Sequence, residues 1–225
     1  MSRIFRFDNM NKVNQVEIIY RYYDEDSYYR SDMKFIDNVW QTELSFVKDK
    51  IFYKYIVNGI IRLNDSNADE YYSEDDNEVW SVADLRTDSG TNEHILYDLK
   101  CKIIKAIPEK DVMYQDCRIF TYGKDKIIST YVEVENISGI HSITVIWHQP
   151  DGNIYKVEEA PIVVERSYVR DVNAGFWIKL DDMQGDFYEN VWMVSVYLDG
   201  KHMTKEYFVI NRNIGTVKRV FYEQA

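Results

Sequence analysis

Residues 52–59 read FYKYIVNG, that is Phe52-Tyr53-Lys54-Tyr55-Ile56-Val57-Asn58-Gly59. Alternating apolar and polar positions mark a strand with one covered face, and Asn-Gly marks a tight turn because both residues tolerate positive φ. The stretch is therefore a strand that runs into a turn. Lys54 stands in mid-strand on the outward parity. It is either the solvent side of an ordinary strand or one contact of a binding surface.

The same period of two recurs on both sides of this stretch. In residues 16–23, VEIIYRYY, the apolar face is Val16, Ile18, Tyr20 and Tyr22; in residues 39–46, VWQTELSF, it is Trp40, Leu44 and Phe46. Residues 77–82, NEVWSV, close the first series. A second series comprises residues 126–135, 142–148, 175–180, 191–198 and 207–210, with Pro150-Asp151-Gly152 and Asp199-Gly200 as hairpin turns. Short strands bounded by Asp, Asn, Ser or Gly have the rhythm of a β-sandwich. Between the two series the pattern is less regular, with a turn at Asp88-Ser89-Gly90 and a breaker at Pro108. The expectation is an all-β chain of two tandem sandwiches, residues 1–104 and 105–225.

Composition agrees with that class. Nineteen tyrosines against three prolines and nine glycines favour pleated, half-buried surfaces, and 45% hydrophobic residues in 225 are enough for real cores. The formal net charge of -11 gathers in runs at residues 24–26, 65–70 and 74–78. Such a surface repels phosphate backbones and anionic lipid, so nucleic acid and membrane are not the expected partners. A neutral glycan or another protein is, self-association into a homo-oligomer included. The first fifteen residues lack the apolar run of a leader, and no stretch approaches the roughly 20 apolar residues of a membrane span, so the expected location is cytoplasmic.

No catalytic motif is present. There is no Gly-x-Ser-x-Gly elbow, no phosphate-cradling glycine loop and no paired histidines at metal spacing; His94, His141, His148 and His202 are scattered. Cys101 and Cys117 are too few for a disulfide framework and read as reduced thiols. Asp65-x-Asn67-x-Asp69 has the first spacings of a calcium loop, but Glu70 replaces the glycine and Asp76 the closing glutamate, so it reads as a solvated acidic loop. No metal, no cofactor and no catalysis are expected. Trp147 and Trp192 share parity with core valines, whereas Trp177 alternates with Phe176 and Ile178 and lies on the opposite face with Lys179. Trp177 is the tryptophan expected at an interface. Residues 211–225, basic and aromatic, are either an extra packed element or a docking segment.

Two resemblances refine the fold. Tyr53-Lys54-Tyr55-Ile56-Val57-Asn58-Gly59, with Asn64-Asp65 and Asn77-Glu78-Val79 after it, resembles the glycogen-binding module of the AMP-activated protein kinase β subunit. The similarity spans roughly residues 2–84. It implies that Lys54 and Asn77 hydrogen-bond sugar hydroxyls, with Tyr28, Tyr29 and Arg62 as further contacts to an α-glucan. Ile60-Ile61-Arg62 stand where that family places a tryptophan platform. The second half, with its Trp-bearing strand, Asp-Gly turn and closing Tyr207-Phe208-Val209-Ile210, resembles bacterial immunoglobulin-like domains. Together they imply early-set and immunoglobulin-like sandwiches in a binding or adaptor protein, or else a structural or assembly component.

Overall fold

The computed structural model describes residues 1–8, 10, 12–74, 78–86, 97–105, 115–181, 183 and 190–211. Asn77 and the tail beyond residue 211 lie outside them. Among the described residues the chain is all strand and turn. The first half holds β1 (Ser2–Asp8), β2 (Val16–Tyr22), β3 (Tyr29–Asp32), β4 (Lys34–Ile36), β5 (Val39–Ser45), β6 (Lys50–Val57), β7 (Ile61–Leu63), β8 (Glu70–Glu74) and β9 (Glu78–Asp84). The second holds β10 (Asp98–Lys105), β11 (Gln115–Asp116), β12 (Ile119–Thr121), β13 (Ile127–Ile137), β14 (Gly139–His148), β15 (Ile154–Val164), β16 (Arg170–Lys179), β17 (Asn190–Leu198) and β18 (Lys201–Asn211).

In the first half, β1, β5 and β4 form a small sheet in the order β1-β5-β4, facing a large one, β3-β2-β6-β9-β8, with β7 added to β6. In the second half, β11-β10-β13-β16 faces β12-β18-β17-β14-β15. The strand β10 precedes the expected boundary at 104/105, yet it pairs with β13 from Asp98↔Glu135 to Lys105↔Ile128. Its sheet therefore belongs to the second half.

FYKYIVNG fills most of β6 and the turn after it. Asn58 and Gly59 both take positive φ, 51° and 70°, as an Asn-Gly turn requires. The Asn58 side chain fastens the turn by accepting from the Asn14 amide at 2.8 Å and donating to the Lys12 carbonyl at 2.9 Å. The odd positions Ile51, Tyr53, Tyr55 and Val57 face inward against Phe5, Phe7, Val16 and Ile18. Burying each such side chain contributes about 1.5–3 kcal/mol, which sets the register of the strand.

The second core lies between its two sheets. Ile128, Val132, Phe176 and Ile178 meet Ile143, Val145, Trp147, Trp192, Val194 and Phe208. Trp147 and Trp192 are buried, as their parity implies. The β14 sheet is covered on its other face as well. Ile146 of β14 and Tyr197 of β17 point away from their own core and join the first one. Residues 142–146, SITVI, accordingly have only Ser142 and Thr144 as polar outward positions, both buried. The turn from β17 to β18 completes the contact. At Gly200, φ 80°, an added Cβ would lie 1.8 Å from the Asn64 carbonyl oxygen, so the two backbones touch where only glycine fits.

Candidate functional site

The outward parity of β6 holds Phe52, Lys54 and Ile56, but this face is closed. Phe52, Ile56, Ile19, Trp80 and Val82 form a small core of their own. Lys54 is 0% exposed. Its Nζ lies 2.8 and 3.0 Å from the Glu159 carboxylate oxygens and 3.2 Å from Glu78 Oε1, and 5.6 Å over the Trp80 ring. Ser142 Oγ donates to the same Glu159 at 2.7 Å. The lysine expected to bind sugar hydroxyls is thus spent on the second half of the chain, and from this position it reaches no solvent.

The other N-terminal candidates surround it unevenly. Arg62 is half exposed and pairs with Glu78 at 3.4 Å, so Glu78 links it to Lys54. Tyr28, 50% exposed, stacks on Trp80 with centroids 5.5 Å apart; Tyr72 lies flat on Phe52 at 4.7 Å. Tyr29 pairs across the strands with Tyr20, stacks on it at 5.3 Å and donates to Glu25. Tyr20 packs on the first core, so Tyr28 and Tyr29 lie on opposite faces of the large sheet. One surface cannot use both. The acidic loop is also internally committed: Asp65 accepts from Tyr53 and Tyr55 hydroxyls at 2.9 and 2.8 Å, and Asp69 pairs with Arg3. Burial pushes the Asp65 carboxyl above the usual range.

A second polar cluster lies in the second half beside Gly200, and Tyr71 of the first half packs on its His141 ring with centroids 6.0 Å apart. His141 Nδ1 lies 2.7 Å from Asp199 Oδ2 and its Nε2 lies 2.8 Å from the Ser138 carbonyl. An acceptor near each nitrogen favours the protonated ring, and the Tyr97 hydroxyl lies 3.3 Å from Nε2 as well. Burial by itself lowers the pKa of His141, but the Asp199 hydrogen bond and charge outweigh it and hold the value above the ordinary 6.5. Ser142 N donates to the other Asp199 oxygen at 2.8 Å.

The outer face of the β13 sheet is different. Trp177 is 52% exposed near the end of β16. Its neighbours on the same face follow from the register: Ser129 opposite Trp177, Tyr131 opposite Gly175, and Asn173 beyond. With Ile104 of β10 these side chains line a depression of about 450 Å³, and none of its lining residues is charged. Lys156 donates to the Trp177 carbonyl at 3.0 Å, which fixes the strand beneath the ring. Trp177 is legible in the sequence by parity. Tyr131, Asn173 and Gly175 were not read as partners, because Gly175 looks like the start of a strand when it is the interior of one. The available signal was the alternation running back from Trp177 through Gly175 to Asn173.

No family model matches the chain, and no curated protein matches it. Among solved structures, a β-glucosidase from Listeria innocua is 8% identical over 51% of this chain and 16% of its own, with a TM-score of 0.33. Bacteroides uniformis β-glucuronidase 2 is 10% identical over 92% of this chain and 26% of its own, TM-score 0.30. A β-galactosidase-like protein from Bacteroides fragilis is 9% identical over 93% and 32%, TM-score 0.29. The chain spans a third or less of each of these proteins, and likeness at this level fixes neither ligand nor reaction.

Proposed function

We propose that the chain is a non-catalytic binding protein whose ligand face is the outer face of the β13 sheet at Trp177, with a glycan or a protein as ligand. The observation that carries this reading is a half-exposed tryptophan on a sheet face beside an uncharged depression. Large aromatic side chains left open to water on a sheet face are characteristic of recognition surfaces. The N-terminal sandwich supports that face as scaffold, since its own Lys54 is closed off. The test is intrinsic fluorescence. Trp80, Trp147 and Trp192 are buried and Trp40 packs on Phe35 in the first sandwich, so a saturable change that disappears in Trp177→Phe reports binding at this face. Panels of neutral oligosaccharides, uronate-bearing oligosaccharides and peptides that all leave the emission unchanged would sink the reading.

A second reading, a structural or assembly component, has its own support. β16 is the last strand of its sheet, and Val163, Tyr168 and Val169 beside it are exposed. An open edge strand with apolar neighbours pairs readily with another chain. Sedimentation showing a constant monomer mass from micromolar to millimolar protein would remove the self-associating form.

A further inference from the structure

Glycine in a strand interior sacrifices stability, and strands retain it for a short set of reasons: left-handed backbone, crowding by a neighbouring residue, a bulge, or close approach by something outside the chain. Gly175 meets none of the first three. Its φ is not in the positive range, unlike that of Gly59, Gly123, Gly139, Gly152 and Gly200. Among the described residues, a Cβ built on it finds nothing within 4 Å. The pairing of β13 with β16 is continuous from Ile127↔Lys179 to Val134↔Val172, with the shift only beyond Val134. The fourth reason remains. We infer that Gly175 is the floor of a sugar seat, which admits one pyranose ring of a neutral oligosaccharide between Trp177 and Tyr131. This rests on the reading of the Trp177 face as the ligand face.

The geometry suits that ligand. Tyr131 stands directly across from Gly175, and Trp177 lies two residues along the same strand. Trp177 and Tyr131 are therefore diagonal neighbours, about 7–8 Å apart at the backbone, close enough to flank one pyranose ring. Sugar rings offer flat C–H faces to aromatic platforms and hydroxyls to amide and hydroxyl groups. Asn173 and Ser129 supply those groups on either side of the notch. The residues that line the depression are all uncharged, which suits a neutral ligand; Lys102, opposite Tyr131, and Lys179, two residues beyond Trp177, lie on the same face outside the lining. A depression of about 450 Å³ falls within the range of small-ligand sites.

The test is a substitution that fills the seat without disturbing the fold. In Gly175→Val the new side chain meets open space and a β-branched residue favours the strand, so the melting temperature is unchanged or higher. Titration calorimetry of the full chain against neutral gluco-, manno-, xylo- and galacto-oligosaccharides should show binding by at least one series. That binding should weaken at least tenfold in Gly175→Val and in Trp177→Ala, with Gly175→Ala between. Undiminished binding in Gly175→Val overturns the inference, and so does the absence of binding by every neutral series. If uronate-bearing oligosaccharides or peptides change Trp177 emission while neutral ones do not, the sugar seat falls and the ligand face stands. If no probe of any class changes it, both fall.

Discussion

Two sheet faces of this molecule carry the same outward signal and meet opposite fates. On the large N-terminal sheet Lys54, a charged side chain at an outward position, is sealed between Glu159, Glu78 and Trp80. On the β13 sheet Trp177, a large apolar side chain at an outward position, stands half exposed. The pair reverses what hydrophobicity alone would assign. Parity determines the face on which a side chain lies; only the next layer of the fold determines whether that face is wet. Glycines repeat the contrast. Gly200 is crowded to contact with Asn64, and Gly175 faces nothing within reach.

Substitutions can break that contrast or sharpen it. The largest effect is expected at Gly200→Ala, where a Cβ must displace the Asn64 backbone and sit at positive φ. Overpacking and left-handed strain together come to about 4 kcal/mol, measurable as a shift in urea midpoint. Next is Lys54→Ala, which strands the Glu159 carboxylate in a largely covered site. A loss of about 3 kcal/mol is expected, most of it recovered when Glu159 is also replaced by Leu. A loss below about 0.5 kcal/mol in urea unfolding would mean that the Lys54 face is open after all.

The pH dependence comes third. His141 has a raised folded pKa, so its contribution is complete below the unfolded value of 6.5 and is lost as pH rises through the folded one. Melting temperature should fall with rising pH above about 6.5, and His141→Gln should flatten that part of the profile. A wild-type profile identical to the variant's would remove the imidazolium from the interface. The smallest effect belongs to the open face. Trp177→Ala should move stability by less than about 0.5 kcal/mol, as a surface change does, and a larger loss would show the ring to be packing instead of binding.

Much of the fold is readable from strand rhythm. Asn58-Gly59 and Asp199-Gly200 announce their turns by chemistry that the backbone then requires, since all four residues take positive φ. Trp147, Trp192 and Trp177 sort to core or surface by alternation alone. The site was less readable. Resemblance to a glycogen-binding strand drew Lys54 toward a sugar, while its true partner, Glu159, lies 105 residues away in sequence. Contacts of that range leave no local mark. Ser142 and Thr144 point to the contact only indirectly, as mild polar residues at outward positions where a solvated strand carries charge. Gly175 failed for the opposite reason: its local mark is strong, but glycine more often signals a turn.

The β14 sheet, sandwiched between the two cores, has a further consequence. Ile146 and Tyr197 are part of the first core although they belong to the second half of the chain. Neither half can be excised without uncovering apolar surface, so the molecule should unfold in one step, as a single cooperative unit. Among the described residues these contacts leave no free joint between the halves, so the Trp177 face keeps one fixed bearing from the N-terminal sandwich, like the jaw of a caliper.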